Sequence, residues 1–502
     1  MHSKKRTACI LLGLFILSVI VRLPTLSRPL SKHHEFCTAL ALRIMQIWHE
    51  AGISTYHFNP VMTYPNAADK FINNHASASG KMLDAEGDYY YVSHPPLAYY
   101  LPFFVFKILS LKPDVLPIEA FNLFIHFLCA LGVFLILNLS RLPSGGERAG
   151  VASSAMPNYN TGAYAAFAIY LFSPGTLWFH SNVYMADILV QLFFIYGVYL
   201  VLKFSEDKKQ TWLFLSIVNG FLMTYTSWLG VFFCLTVMAW SLWRKDIKQL
   251  MAAGFSAAAA LALTVFQYSQ IAGFSPLMQE WLARFAERGL DASNILSGSI
   301  VLGKNYATSY LPLIITAGIL LVHSFKRNRQ LLTKKITLFM LLSAIPVLLL
   351  HLILLDYSGH DFTTLYGGLF LSVLFGVLIG DVMPEIKSKR RAAGMTALAI
   401  LNLAQYYYIN PPGEFSLRGD SYADFHDSGK SIALQSSGDE VLFLKGAKPS
   451  PEMIFYAGRN IKQVTDEEDA IKFLKERNRS RGVMFEINKS AEAEVVGKIL
   501  LP

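Results

Sequence analysis

Eleven apolar runs lie in the first 410 residues of this chain, near 7–27, 118–140, 160–177, 184–203, 212–225, 226–243, 250–272, 308–324, 335–355, 363–380 and 393–409. A backbone inside lipid must satisfy its own polar groups, so such runs are read as helices. Several fall short of the roughly 20 residues of a full crossing, which leaves their ends loose. Hydrophobic residues make up 53% of the chain and charged residues only 16%, well below the share of about a quarter usual in soluble domains. The expected fold class is an α-helical polytopic membrane protein with about 11–13 transmembrane helices.

The formal net charge is +9. The basic residues form short clusters between apolar runs, with no basic stripe and no aromatic platform, so nucleic acid is excluded as a partner. Clusters at Lys4-Lys5-Arg6, Arg141 and Arg148, Lys203 to Lys209, Arg244 to Lys248, Lys326 to Lys335 and Lys387 to Arg391 alternate with short loops, 178–183 and 356–362, that hold no Lys or Arg. The positive-inside rule then sets the N-terminus in the cytoplasm and the C-terminus outside. The first run is read as a retained signal anchor, because Arg22-Leu23-Pro24 follows it without a small-x-small cleavage site. Leu97–Leu111 is apolar but short and is read as a helix lying at the outer interface.

Residues 1–410 are thus expected to form a transmembrane domain whose first outer loop spans 28–96 and holds juxtamembrane helices. Residues 411–502 change to mixed, charged composition. Val441-Leu442-Phe443-Leu444 and Gly482 to Ile487 read as short buried strands, and Asp466 to Asn478 as an amphipathic helix opening on acids. A small C-terminal α/β domain outside the membrane is expected. The four cysteines have neither metal spacing nor the look of a disulfide framework.

The chemistry-bearing residues gather at the outer boundary. His33-His34-Glu35 opens a stretch in which Phe36, Leu40, Ile44, Ile47 and Trp48 share one helical face. That helix is expected to lie on the membrane surface. Asp187 sits at the mouth of a span, in Tyr184-Met185-Ala186-Asp187, where a carboxylate facing lipid is costly. Its bland alternative is a helix-dipole acid. His94-Pro95-Pro96-Leu97 holds a histidine on a proline-stiffened segment, after Tyr89-Tyr90-Tyr91, which reads as an interfacial aromatic belt, with a sugar platform as the alternative. His360 and Asp361 share a short outer loop, and Arg284, Arg288 and Lys304 fall in the outer segment 273–307 against the positive-inside trend. Such cations suit a lipid phosphate as well as they suit ordinary surface charge.

Taken in order, Glu35, the His94-to-Leu97 segment and Asp187 resemble the GT-C superfamily of membrane glycosyltransferases. Protein O-mannosyltransferases and the aminoarabinose transferases of lipid A are the nearest in look. Those families carry an Asp-Glu pair where this chain reads His34-Glu35, so the first acid is replaced. The resemblance implies a multi-pass enzyme of a plasma membrane such as the bacterial inner membrane. It implies transfer of a sugar from a polyprenyl-phosphate donor to a hydroxyl of a lipid, glycan or protein acceptor, with inversion. On that resemblance Glu35, Asp187 and His34 are the candidate catalytic residues. His94, His33, His360, Asp361, Arg284, Arg288 and Lys304 are the candidate substrate ligands. No metal ligand is assigned and no cofactor is certain. A divalent metal on His33, His34, Glu35 and Asp187 is the alternative that the residue types allow. The rival classes are a multi-pass transporter, expected to show repeats and broken mid-membrane helices, and a non-catalytic lipid or glycan assembly protein.

Overall fold

The computed structural model describes residues 2–26, 28–31, 33–74, 78–139, 159–289, 295–326, 334–382, 388–409, 424–488 and 492–502. Arg141, Arg148, Arg327, Arg329 and Lys387, part of the charge asymmetry above, lie outside them.

Apolar composition makes the first part of the chain helical. Helix α1 (His2–Arg22) leads into the segment read above as the first outer loop, which holds α2 (Glu35–Ala51) and the antiparallel pair β1 (Lys81–Leu83) and β2 (Tyr89–Tyr91), and α3 (Leu97–Ile108) follows it. There follow α4 (Val115–Leu139), α5 (Tyr159–Phe172), α6 (Pro174–Phe179), α7 (Ala186–Asp207), α8 (Gln210–Thr224), α9 (Leu229–Trp243) and α10 (Ile247–Ala272). Next come α11 (Phe274–Arg288), α12 (Ile295–Lys326), α13 (Lys334–Ile353), α14 (Leu365–Val382) and α15 (Ser388–Ile409). Seven helices among the described residues are long and apolar enough to cross a membrane: those of Lys4–Thr25, Val115–Leu139, Ala186–Asp207, Ile247–Ala272, Ile295–Lys326, Lys335–Ile353 and Asp361–Val382. Each of the remaining expected runs also holds a helix, shorter or less apolar. Helix α3, at 12 residues, reaches about 18 Å, against a hydrocarbon core of about 30 Å.

Two expectations at element level need correction. The run 160–177 is two helices, because Pro174 has no N–H to continue α5 and instead starts α6. The loop 273–307 is largely helical: α11 carries Arg284 and Arg288, and Lys304 rides on α12 as an exposed side chain. Closest packing within the bundle is between α5 and α14. A Cβ built on Gly162 would fall 2.3 Å from the carbonyl oxygen of Gly376, so only glycine lets these backbones meet.

The last part is α/β: α16 (Phe425–Gln435), β3 (Val441–Lys445), α17 (Pro451–Ala457), β4 (Ile461–Val464), α18 (Glu467–Glu476), β5 (Arg481–Ile487) and β6 (Ala493–Leu500). The sheet order is β4-β3-β5-β6, with β3 parallel to both neighbours and β6 antiparallel to β5. Strand β3 is apolar and buried from Val441 to Leu444, as a central strand covered on both faces must be, and only Lys445 at its end is charged. Asp466 caps α18 through the Asp469 amide, and acids fill its first turn. This unit is seated on the first outer loop. Asp69 accepts from Arg459 Nε at 2.8 Å and Nη2 at 2.7 Å, and from Asn460 at 2.8 Å. The Leu30 amide donates to the Tyr456 hydroxyl at 2.8 Å.

That seating overturns the expectation of a surface helix at 35–51. Helix α2 packs against α17, and residues from all round it are buried, including Thr38, Ala39, Ala41, Leu42 and Ile44.

Candidate functional site

Helix α2 begins abruptly. His34, just before it, adopts φ +60°, a left-handed conformation that costs a side-chain-bearing residue about 1–2 kcal/mol. His33 and His34 both turn to one carboxylate: each Nε2 lies 3.0 Å from an oxygen of Asp361. Their rings meet edge to face at 4.1 Å, and His34 also meets His360 and Phe362. Local strain and two long-range bonds therefore hold this cluster.

Glu35, the next residue, faces elsewhere. It is fully buried, and its carboxylate accepts from Arg28 at both oxygens and from the Ser31 amide at 2.8 Å. It therefore fixes the entry into α2 rather than facing open space.

Asp187 sits in the first turn of α7, 1% exposed, and accepts from the Tyr366 hydroxyl. The positive end of the helix and that hydroxyl offset the cost of its burial. Asp187 lines a cavity of about 130 Å³. Cys37, Leu40 and Arg43 enter this space from α2, Tyr91 and His94 from the end of the first outer loop, and Arg284 and Arg288 from α11. Tyr357, His360 and Phe362 close it from the loop before α14, and Pro451 from the C-terminal unit. Tyr91 is thus a cavity residue on β2, and Tyr90 is buried with its hydroxyl on Asp84, which corrects the reading of these tyrosines as a membrane belt. A second hollow shares His94, Arg284, Arg288 and Tyr357, but its other walls are Trp228, Trp281, Phe285 and Leu354.

The His94 segment is pinned as its prolines suggest. Tyr268 donates to the His94 carbonyl at 2.5 Å, Trp228 to the Ser93 carbonyl at 2.9 Å and Trp281 to the Val92 carbonyl at 2.8 Å. Burial lowers the pKa of His94, against the pull of Asp187, so the ring is neutral. Its Nδ1 has no partner among the described residues. Arg288 donates to His360 Nε2 at 2.6 Å. A guanidinium only donates, so that nitrogen is unprotonated. Consistently, burial first, then His34 and Arg288, push His360 down to about 4. Lys304 lines neither hollow.

The site therefore has three parts: a wall of Arg284, which is ion-paired with Glu287 at 3.1 Å, and Arg288; a buried carboxylate at Asp187; and the His33–His34–Asp361 cluster beside them. The metal set considered from sequence is not assembled, since Glu35 is taken by Arg28 and Asp187 by Tyr366. His33, His34 and Asp361 do fit a cation. Each offers one ligand atom, and the three lie within 4.8 Å of one another. Two imidazoles and a carboxylate suit Zn²⁺ with an open position. Sequence reasoning missed Arg28, Arg43, Tyr357 and Tyr366. Of these only Arg43 carried a signal, as a charge on the apolar side of a helical pattern.

No family model matches the chain, and no curated protein matches it. Solved structures do. The archaeal oligosaccharyltransferase AglB from Archaeoglobus fulgidus, in complex with an inhibitory peptide and a dolichol-phosphate, superposes with a TM-score of 0.58 at 11% identity. That match covers 100% of this chain and 76% of that one. ArnT from Cupriavidus metallidurans bound to undecaprenyl phosphate matches with a TM-score of 0.54 at 12% identity, over 95% of this chain and 93% of its own. The Archaeoglobus enzyme in complex with Zn and sulfate gives 0.56 at 12%. The chain therefore has the fold of the GT-C membrane glycosyltransferases.

Proposed function

We propose that this chain is a glycosyltransferase that takes a sugar from a polyprenyl phosphate and transfers it to an acceptor hydroxyl. One observation carries the reading: Asp187, His94, Arg284 and Arg288 line one cavity, and the same arginines line an aromatic hollow beside it. Arg284 and Arg288 hold the donor phosphate. The isoprenoid chain starts along Trp228, Trp281, Phe285 and Leu354. Neutral His94 donates a hydrogen bond to the phosphate or to the sugar. The acceptor oxygen attacks the anomeric carbon while the bond from that carbon to the phosphate oxygen breaks. Asp187 takes the hydroxyl proton, and the lipid phosphate leaves as an anion against the arginines. Attack from the face opposite the phosphate inverts the anomeric carbon. Glu35 supports α2 in this scheme, Lys304 takes no part, and His360 steadies Arg288. The cluster of His33, His34 and Asp361 would hold a divalent cation, which when bound supplies positive charge beside the phosphate. Solved proteins of this fold carry dolichol-phosphate or undecaprenyl phosphate, which supports the donor class. The site faces outward in this reading, with the N-terminus cytoplasmic and the sheet-bearing C-terminal unit outside.

The test uses membranes of the native host fed a radiolabelled sugar. In Asp187→Asn, turnover should fall about 10²–10⁴-fold, as loss of a general base does, and a polyprenyl-linked sugar should accumulate. A chelated wild type should slow if the cation takes part. Undiminished conjugate formation by the Asn variant would sink the role given to Asp187.

A further inference from the structure

Two arginines among the described residues are fully buried, Arg22 and Arg43, and a third, Arg459, is partly buried. Arg22 donates to the Ser18 carbonyl and hydroxyl, to His126 and to the His180 carbonyl. Arg459 holds Asp69. Arg43 differs. It is 1% exposed, yet its Nε and Nη1 have no hydrogen-bond partner among the described residues, and no carboxylate there pairs with it. Burial lowers its pKa to about 10, which still leaves it charged at neutral pH. An unpaired guanidinium out of water is costly. A folded chain that keeps one beside a cavity is preorganised for an anion.

Its position says which anion. Cys37, Leu40 and Arg43 share the cavity face of α2. Arg43 stands about 9 Å further along the axis than Cys37, at 1.5 Å per residue. Cys37 lies in the fields of Asp187 and Arg288, whereas Arg43 neighbours Tyr64. Asn74 and Pro451 also line the cavity, so the loop and the C-terminal unit close over it. Arg43 thus enters the cavity from α2, whereas Arg284 and Arg288 enter it from α11 and hold the donor phosphate in the reading above.

We infer that Arg43 is an oxyanion subsite for the acceptor, so that the acceptor bears a carboxylate or a phosphate ester near the hydroxyl that is glycosylated. This rests on the cavity being the transfer site. Arg43 and Asn74 would select such acceptors over neutral sugars. A charge-assisted pair of this kind is worth roughly 10–100-fold in affinity.

The experiment uses the purified full-length protein in detergent, as wild type, R43Q, R43K and R43M. D-glucose, D-glucuronate, D-glucose 6-phosphate and undecaprenyl phosphate are titrated separately, with binding followed by saturation-transfer NMR or calorimetry. Wild type should bind at least one acidic sugar about 10-fold or more tightly than glucose. The preference should vanish in R43Q and return in part in R43K. The better of the two acidic sugars separates a carboxylate acceptor from a phosphorylated one. Undecaprenyl phosphate should bind R43Q as it binds wild type. The inference is overturned if neither acidic sugar binds wild type better than glucose, or if R43Q keeps the preference. It is also overturned if ligand-free R43M melts below wild type, since an unpaired charge should cost stability and a structural one should supply it. If undecaprenyl phosphate fails to bind wild type while the acidic preference persists, the transferase reading fails and the anion subsite survives.

Discussion

Glu35 and Asp187 are both buried carboxylates at the start of a helix, and their partners separate their roles. Glu35 accepts three donors, two of them from Arg28, and is closed off. Glu35→Gln leaves a guanidinium without its counter-charge. We expect a loss of about 3 kcal/mol in thermal or denaturant unfolding, the lower end for breaking a buried pair because Arg28 is partly exposed. Asp187→Asn keeps its shape and its Tyr366 neighbour, so its effect belongs in turnover. Unfolding curves of the two variants that coincide would contradict this division. His94 adds a pH dependence. Its folded pKa lies below the ordinary value of about 6.5. Below that pH the unfolded chain takes up a proton that the folded chain resists. Stability is therefore full above about 6.5 and declines as pH falls. The melting temperature of wild type should drop between neutral and mildly acidic pH more steeply than that of His94→Gln, and parallel curves would refute the assignment.

At the scale of elements, the setting of the Asp187 carboxylate depends on how helices approach one another. Tyr366, the donor to Asp187, is on α14. Helix α14 is locked to α5 where Gly162 meets Gly376. Gly162→Ala must push these helices apart, because backbone rather than a flexible side chain receives the new methyl. A cost of roughly 1–3 kcal/mol is expected from overpacking. Because the displaced helix carries Tyr366, activity should fall together with the melting temperature. A variant with unchanged melting behaviour and activity would show that the contact is looser than drawn here. Helix α2 illustrates the limit of pattern reading. Its apolar face was legible, and Arg43 within that face was a visible exception. Nothing local announced that α17 would cover the other side.

Across the whole molecule, the C-terminal unit acts as a roof. It reaches the first outer loop through Arg459, Asn460 and Tyr456 and contributes Pro451 to the cavity wall. Arg459→Ala removes two bonds to a buried carboxylate, and limited proteolysis should then release residues 424–502 sooner than in wild type. Equal cleavage rates would mean that the roof is held elsewhere. The number of full crossings did not stand in the chain as written, but the apolar bundle, the strands near 441–444 and 482–487, and His94, Asp187, Arg284 and Arg288 as candidate site residues all did. They did so because burial in lipid, proline stiffness and charge placement act over a few residues and leave marks in composition and spacing. The partners did not. That Asp361 gathers His33, 328 residues away, together with His34, and that Arg43 meets a cavity with two nitrogens unpartnered among the described residues, follow from packing between distant segments; Arg28 withdraws Glu35 over a shorter span, through the turn before α2. Only the folded chain sets those distances, because the energy of a buried charge depends on what the fold brings beside it.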